Sequence, residues 1–287
     1  MMKKVICRLM IITTIYASAE NHIELGVGVL SVKDNFTYIE DKRVSSLANS
    51  PKKQELAIPV FSLEYNGFFI GVGDNLEGIG YRHDFGDISV AVGVDSYEVF
   101  ENPYLLNKNR KHVDAQEITV SLSGNYAEFL EYSVDYSHIE VEDKVAKDAQ
   151  QSANEVNLGV YAVLLPLSQN AYMGLGYDFT YHNSKGKSNT HYKNGVSFFT
   201  IIKLTSDYRL TGEVGYEKYM FNSQNSYFNK KRNEKGFSIG SELMADNLFN
   251  NKNSYLQMVL FYGKRDSNIN FFDTEYVGGS LSYGYMF

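Results

Sequence analysis

The sequence has no tryptophan, one cysteine and four prolines among 287 residues. The single cysteine, Cys7, lies in the N-terminal segment, so the rest of the chain has neither a disulfide framework nor a thiolate for catalysis. Basic residues are in the minority, at 27 Lys and Arg against 34 Asp and Glu. Nucleic acid is therefore not an expected partner, because its binding depends on Lys and Arg that neutralise phosphates.

Long apolar runs are absent after residue 20, where no segment approaches the roughly 18 consecutive apolar residues of a transmembrane helix. The N-terminal "MMKKVICRLMIITTIYASAE" has two lysines, a mainly apolar stretch shorter than the ~20 residues of a spanning helix, and a small-x-small pattern. These features predict a secretory signal peptide over residues 1–19 and a mature domain over residues 20–287. The predicted cleavage site consists of Ala17, Ala19 and Glu20.

Tyrosine, phenylalanine and glycine are abundant, and the two aromatic residues favour strands. From residue 22 onward, apolar residues recur at every second position, as in "HIELGVGV", "EITVSLSGNY" and "AYMGLGYDFTY". This period of two predicts half-buried strands, since helices would place apolar residues three and four positions apart. The expected strands are 22–33, 54–65, 68–73, 77–85, 88–98, 112–124, 127–142, 153–165, 170–182, 195–204, 208–221, 235–245, 254–264 and 275–287.

Except for the brief link near Asp74-Asn75, the connections between these strands alternate in length. Short turns such as Asn66-Gly67 and Gly86-Asp87 suit tight hairpins. They alternate with longer polar loops at about 34–53, 99–111, 143–152, 183–194, 222–234 and 265–274. Short turns on one side and long loops on the other are typical of bacterial outer-membrane barrels.

This pattern predicts an all-β fold, a transmembrane antiparallel up-and-down β-barrel with 14 strands, or 12 as the alternative count. We expect it in the outer membrane of a Gram-negative bacterium, with both termini in the periplasm. A soluble secreted β-sandwich or β-solenoid would also alternate, but sandwich strands are usually shorter, at ~5–6 residues.

The chain ends on "SLSYGYMF", in which every second residue is apolar or aromatic. Such an ending suits the last strand of a barrel, which pairs with the first strand so that no edge remains. It also resembles the C-terminal signal that the outer-membrane assembly machinery reads, although that signal prefers glycine where Ser282 stands. We therefore expect the barrel assembly machinery and periplasmic chaperones as partners, with an assembly signal formed by Tyr283, Tyr285 and Phe287.

Three stretches resemble recurring segments of a family called domain of unknown function 2860. They are "FENPYLLNKNR" (Phe100–Arg110), "YFNKKRNEKGFSI" (Tyr227–Ile239) and "DSNINFFDTEY" (Asp266–Tyr276), all predicted to lie in outward loops. The resemblance implies an outer-membrane-type barrel of gamma-proteobacteria over most of the mature chain, with no assigned substrate. A weaker resemblance, through Glu55–Gly73, is to scaffold-like barrels that bind peptidoglycan enzymes.

Residues opposite the apolar positions are predicted to line the interior of the barrel. Acids outnumber bases among them, which favours cations in a confined passage. The alternative is that these charges form hydrogen-bonded ladders that brace the wall or hold a loop. The predicted pore-lining residues are Glu24, Glu64, Arg82, Asp95, Glu117, Glu131, Asp135, Asp178, Arg209, Glu213, Glu217 and Glu242, with Glu155 and Lys203 on the same face.

Aromatic residues near strand ends are predicted to form the girdles that anchor a barrel at both membrane boundaries. These girdles would contact outer-membrane lipid and lipopolysaccharide. The residues expected there are Phe61, Tyr65, Phe85, Tyr97, Tyr126, Tyr208, Tyr262 and Tyr285.

The leading functional hypothesis is a porin-like passive channel for small hydrophilic solutes or ions, with a preference for cations. The alternative is a non-conducting barrel that acts as a scaffold or surface-interaction protein through its loops. Catalysis is not expected. His182 and Ser184 lack the spacing of outer-membrane lipases, and a match to a protease-type site such as His138 near Glu140 is expected by chance. The histidines show no paired metal-ligand spacing, so neither a metal nor another cofactor is expected.

Overall fold

The computed structural model describes residues 21–34, 52–72, 78–105, 111–126 and 129–287. The predicted signal peptide and its cleavage site lie outside the described residues. None of the helices within these ranges is long and apolar enough to cross a membrane. The strands are β1 (His22–Asp34), β2 (Lys52–Tyr65), β3 (Phe68–Val72), β4 (Gly78–Phe85), β5 (Ile88–Phe100), β6 (His112–Tyr126), β7 (Leu130–Val141), β8 (Ala153–Ser168), β9 (Ala171–Ser184), β10 (His191–Lys203), β11 (Tyr208–Asn225), β12 (Lys230–Asp246), β13 (Ser254–Ser267) and β14 (Thr274–Met286).

The strands form a closed barrel in which each pairs antiparallel with its neighbours in sequence. Closure joins β1 to β14 from His22 opposite Met286 to Asp34 opposite Thr274. The last residue is also tied in, since the Phe287 N–H donates to the Asn21 carbonyl over 2.9 Å. The prediction of an up-and-down barrel with 14 strands is confirmed, and the alternative count of 12 is wrong.

Asn21, the first described residue, and the C-terminal Phe287 lie at one end of the barrel, which we call the terminal end. The opposite end, where the longer connections lie, is the loop end. Two predicted loops there are shorter than expected: loop 183–194 shrinks to residues 185–190 and loop 222–234 to residues 226–229. The second change places most of the family-like stretch Tyr227–Ile239 in β12 rather than in a loop. Strand pairing continues beyond the point at which the apolar alternation of the sequence ends.

The outer face of the wall carries a belt of exposed apolar side chains. On β1 these are Leu25, Val27 and Val29, each more than half exposed, and the belt continues on the other strands. The interior face of β1 carries Glu24, Gly26 and Gly28 between them. A protein in water would not leave so large a continuous apolar surface uncovered.

Interior aromatic rings lie flat against glycines of the neighbouring strand. Phe199 covers Gly174, Tyr276 covers Gly263, and Phe261 covers Gly278, so that a Cβ at any of these glycines would overlap the ring. Packing a ring over a glycine in this way is a known means of stabilising sheets. It also keeps large side chains against the wall and out of the centre of the barrel.

We expect Gly80→Ala to destabilise the barrel by about 1–3 kcal/mol, the usual cost of overpacking. A Cβ at Gly80 would overlap the Phe69 ring and the Val92 carbonyl oxygen. Gly93→Ala is the matched control, because the Cβ that it adds would meet the same Phe69 ring at an ordinary 3.4 Å. Urea unfolding of both variants in lipid vesicles measures the difference, and equal midpoints would contradict the role of the Phe69–Gly80 contact.

Candidate functional site

The interior wall of the barrel carries many ionisable side chains. All twelve residues predicted to line a pore lie on the strand face opposite the exposed apolar belt, as the alternating burial patterns and strand registers show. Four of the acids are almost fully buried: Glu24, Glu64, Glu117 and Glu242. Arg82 forms an ion pair with Glu64 over 3.0 Å. The structure thus contains braced pairs of the kind expected for a ladder, along with further interior acids.

Three interior bases were not predicted from the sequence: Lys193, Arg232 and Arg265. Lys193 and Arg232 are buried, and Arg265 is mostly buried. All three had been assigned to loops, yet each lies on a strand that extends further towards the loop end than predicted. Asp34 and Glu234 are also buried on interior positions, so acids still outnumber bases on the described interior wall.

These bases form a charged network across β10 to β13. Lys193 Nζ donates to Glu217 Oε1 over 3.2 Å. The Tyr219 hydroxyl donates to Glu217 Oε2 over 2.7 Å and accepts a hydrogen bond from Arg265 Nη2 over 2.8 Å. The tyrosine hydroxyl therefore connects the carboxylate of Glu217 to the guanidinium of Arg265. Because charge-assisted hydrogen bonds are short and strong, this network fixes the side chains in place.

Arg232 occupies the part of the network nearest the loop end. Its Nε lies 3.3 Å from Glu234 Oε1. Its guanidinium is sandwiched between two rings, 3.6 Å from the centroid of Phe221 and 4.0 Å from that of Phe272. Phe221 belongs to strand β11, and Phe272 to the connection between β13 and β14. Arg232 therefore joins the wall of the barrel to a loop.

An apolar cluster of loop residues covers the barrel at the loop end, and we call it the cap. Tyr104 stacks on Tyr227 with ring centroids 3.9 Å apart and on Phe271 at 5.7 Å. The three rings come from three different connections along the chain. The full cap consists of Tyr104, Val145, Ala149, Tyr227, Phe228, Ile269, Phe271 and Phe272.

Hydrogen bonds between the loops hold the cap together. The Asp148 carboxylate accepts from the Ser226 N–H over 2.9 Å and from the Ser226 hydroxyl over 2.7 Å. The Ala146 N–H donates to the Tyr227 hydroxyl over 3.1 Å. Asn225 Nδ2 donates to the Tyr104 hydroxyl over 3.2 Å, and burial in this cluster raises the pKa of Tyr104. The cap is thus a cross-connected structure and not a set of independent loops.

A cavity of about 220 Å³ lies inside the barrel beneath the cap. Tyr104 and Phe272 of the cap form its upper boundary. Its wall combines acids, the arginines Arg232 and Arg265, and tyrosines. The acids that line it are Glu155, Asp178, Glu213 and Glu217.

The two enzyme-like pairs considered from the sequence show no catalytic arrangement. The Ser184 hydroxyl donates to backbone carbonyls of residues 150 and 152, whereas His182 Nδ1 lies 2.8 Å from Glu155 Oε2. His138 is an exposed residue 3.4 Å from Glu140. Within the described ranges, no group of three or more His, Cys, Asp or Glu residues is placed to hold a metal ion.

The residues predicted to act at the membrane boundaries and in assembly lie mainly on the outer face. Tyr283 and Phe287 are exposed there, and Phe287 stacks on Tyr65 at 6.2 Å. Tyr97 is an exception, because it faces the interior, lines the cavity and donates to Glu117 over 3.4 Å. The prediction that Tyr97 belongs to a girdle is therefore wrong, because Tyr97 occupies one of the alternate positions of β5 whose side chains face the interior.

Comparison with known proteins gives a family match and fold-level similarities. The family model described as "Protein of unknown function (DUF2860)" matches residues 19–286. A solved structure described as "Bacterial polysaccharide outer membrane secretin" is 9% identical, with a TM-score of 0.53, covering 94% of this chain and 100% of that chain. The "CymD monoaromatic hydrocarbon channel" is 10% identical, with a TM-score of 0.51, and the match covers 98% of this chain and 92% of that chain. A search of curated proteins finds no match.

Proposed function

The chain belongs to the family described as "Protein of unknown function (DUF2860)", and we propose that it is an outer-membrane channel for small hydrophilic solutes that prefers cations. The observation that carries this proposal is the closed barrel with an apolar outer belt and an ionisable interior. A barrel satisfies all its backbone hydrogen bonds internally, which is the condition for crossing a lipid bilayer. The similar barrels named above as an outer-membrane secretin and a channel support the same location and role.

The orientation follows from the usual arrangement of such barrels, in which short turns face the periplasm and longer loops face outward. Both termini and the turns at the terminal end would then lie in the periplasm, and the cap outside the cell. The exposed aromatic residues would contact lipid and lipopolysaccharide. Tyr283, Tyr285 and Phe287 would be read by the barrel assembly machinery, with periplasmic chaperones delivering the chain.

The preference for cations rests on the excess of interior acids over bases. A wall with this excess has a negative potential, which concentrates cations and repels anions in a narrow passage. Asp135 and Glu213 are suitable residues to test it, because both face the interior on well-paired strands.

We expect the refolded mature chain, residues 20–287, to show a reversal potential that favours cations under a salt gradient in a planar bilayer. Asp135→Asn and Glu213→Gln together should shift that potential towards zero, because they remove two interior negative charges. Glu140→Gln is the control, since Glu140 is exposed on the outer face. An unchanged reversal potential in the double variant would contradict the assignment of selectivity to these acids.

The second candidate function is a non-conducting barrel that presents its loops to a partner. The cap supports this candidate, because its rings and hydrogen bonds fix several loops in one arrangement over the barrel mouth. A folded, heat-modifiable barrel that passes no current would favour this function over the channel.

A further inference from the structure

The cavity beneath the cap is formed by a row of small interior residues. Gly176, Ser197, Gly215, Ser238 and Gly263 are successive ladder partners on β9 to β13. Because short side chains project little from the wall, the interior stays open at Ser197, Gly215 and Ser238, which line the cavity. The rings of Tyr161 and Tyr276 flank the hollow, lying against Gly176 and Gly263 respectively.

The adjacent row on the side of the loop end carries charges of both signs. Asp178, Glu217 and Arg265 lie in this row, separated only by Gly195 and Gly236. Strands are spaced about 4.8 Å apart, so successive charged residues of the row are about 10 Å apart at the backbone. All three side chains line the cavity, which therefore has an acidic part on β9 to β11 and a basic part on β12 and β13.

The acidic part gains a third carboxylate from Glu213, which lines the cavity together with Asp178 and Glu217. A cation placed among these carboxylates is attracted to all three of them. Ser197 is 7% exposed and also lines the cavity, with its hydroxyl beside the Glu213 carboxylate. This side of the cavity is suited to an ammonium group.

The basic part contains a buried donor that lacks a hydrogen bond. Arg232 is 5% exposed and lines the cavity, and its Nε has no hydrogen-bond partner, because the Glu234 carboxylate at 3.3 Å is an ion-pair contact without hydrogen-bond geometry. Because Arg232 lines the cavity, its guanidinium attracts a negatively charged ligand group placed there. With Arg265 nearby, this side of the cavity is suited to a carboxylate.

We propose that the cavity binds a small zwitterion that carries an ammonium and a carboxylate, in the manner of an α-amino acid. The proposal rests on the proposed function, because the ligand reaches the site through the interior of the channel. A simple cation would meet the two arginines, and a simple anion the carboxylates, whereas a zwitterion satisfies both. An engineered cavity of ~150 Å³ holds benzene, so the larger volume here accommodates a phenyl ring with short charged groups.

Three molecules that each carry a phenyl ring on a short charged chain test this proposal directly. They are phenylalanine, 2-phenylethylamine, which lacks the carboxylate, and 3-phenylpropanoate, which lacks the amine. Saturation-transfer NMR on the refolded barrel in detergent should show phenylalanine binding more tightly than either analogue. Equal or tighter binding of the amine would make the site a cation site, tighter binding of the acid would make it an anion site, and absence of binding by all three would exclude a site. Each of these outcomes overturns the proposal.

Two substitutions locate the ligand. Glu213→Gln and Arg265→Gln should each weaken phenylalanine binding by at least about tenfold, since close charge pairs at binding sites couple by that much or more. Glu98→Gln, on the outer face of β5, should leave binding unchanged. Phenylalanine binding that is unaffected by both interior substitutions would place the ligand elsewhere. If the barrel binds phenylalanine but passes no current, the binding site stands and the channel function is wrong. If it conducts but binds none of the three molecules, the channel function stands and the binding site is wrong.

Discussion

Replacing Tyr104 and Phe271 by alanine is expected to raise the single-channel conductance several-fold. The two rings stack on each other and Tyr104 also stacks on Tyr227, so that these contacts connect three loops above the cavity. Truncation of a buried Phe ring typically costs about 3–5 kcal/mol, which exceeds the roughly 0.5–1.5 kcal/mol of a single hydrogen bond between loops. The cap should therefore separate, while the barrel remains intact because no strand pairing involves these residues.

Conductance steps in planar bilayers measure this effect, and heat modifiability on gels confirms that the barrel is folded. Leu105→Ala is the matched control, because Leu105 lies in the same connection as Tyr104 but is 40% exposed and outside the cap. Its conductance should equal that of the wild type. If the Tyr104/Phe271 variant becomes sensitive to protease in its loops yet conducts no better, the cap is not the barrier to current.

The strands were predictable because a membrane-spanning wall has one apolar face and one mixed face. Val27 and Val29 had to face outward, and Gly26 and Gly28 inward, so a period of two was visible in the sequence itself. A shift by one residue would have exchanged the two faces along the whole strand, which is why the register was also determined. The fold and the placement of charges on β1 or β6 follow from this alternation alone.

Alternation could not predict the strands near the loop end, where water replaces lipid on the outside. Arg232 and Arg265 lie where both outward-facing neighbours are polar, so neither face is marked by apolar residues, and Lys193 has only Tyr192 to mark the outer face. The cap was not predictable for a different reason. It depends on contacts such as Tyr104 with Phe271, between segments that are far apart in the sequence and have no periodic relationship.

The substitution Arg232→Met is expected to destabilise the barrel by about 3 kcal/mol, at the lower end of the cost of breaking a buried ion pair. The reason is that Glu234, which is 4% exposed, would lose its partner at 3.3 Å and keep the more distant Arg265 at 3.9 Å. Lys235→Met, on the exposed side of the same strand, is the control and should change stability little. Urea unfolding in lipid vesicles gives both values.

The double variant Arg232→Met/Glu234→Gln distinguishes the effect of an unpaired buried charge from the effect of the lost contact between Arg232 and the rings. Removing both charges avoids leaving a buried carboxylate without its partner, so the double variant should be more stable than Arg232→Met alone. It would still lack the cation–π contact between Arg232 and Phe272, which joins the wall to the cap. We therefore expect raised conductance in both variants but a large loss of stability only in the single one. Equal stabilities would show that Glu234 does not depend on Arg232, and wild-type conductance in both would show that Arg232 does not hold the cap.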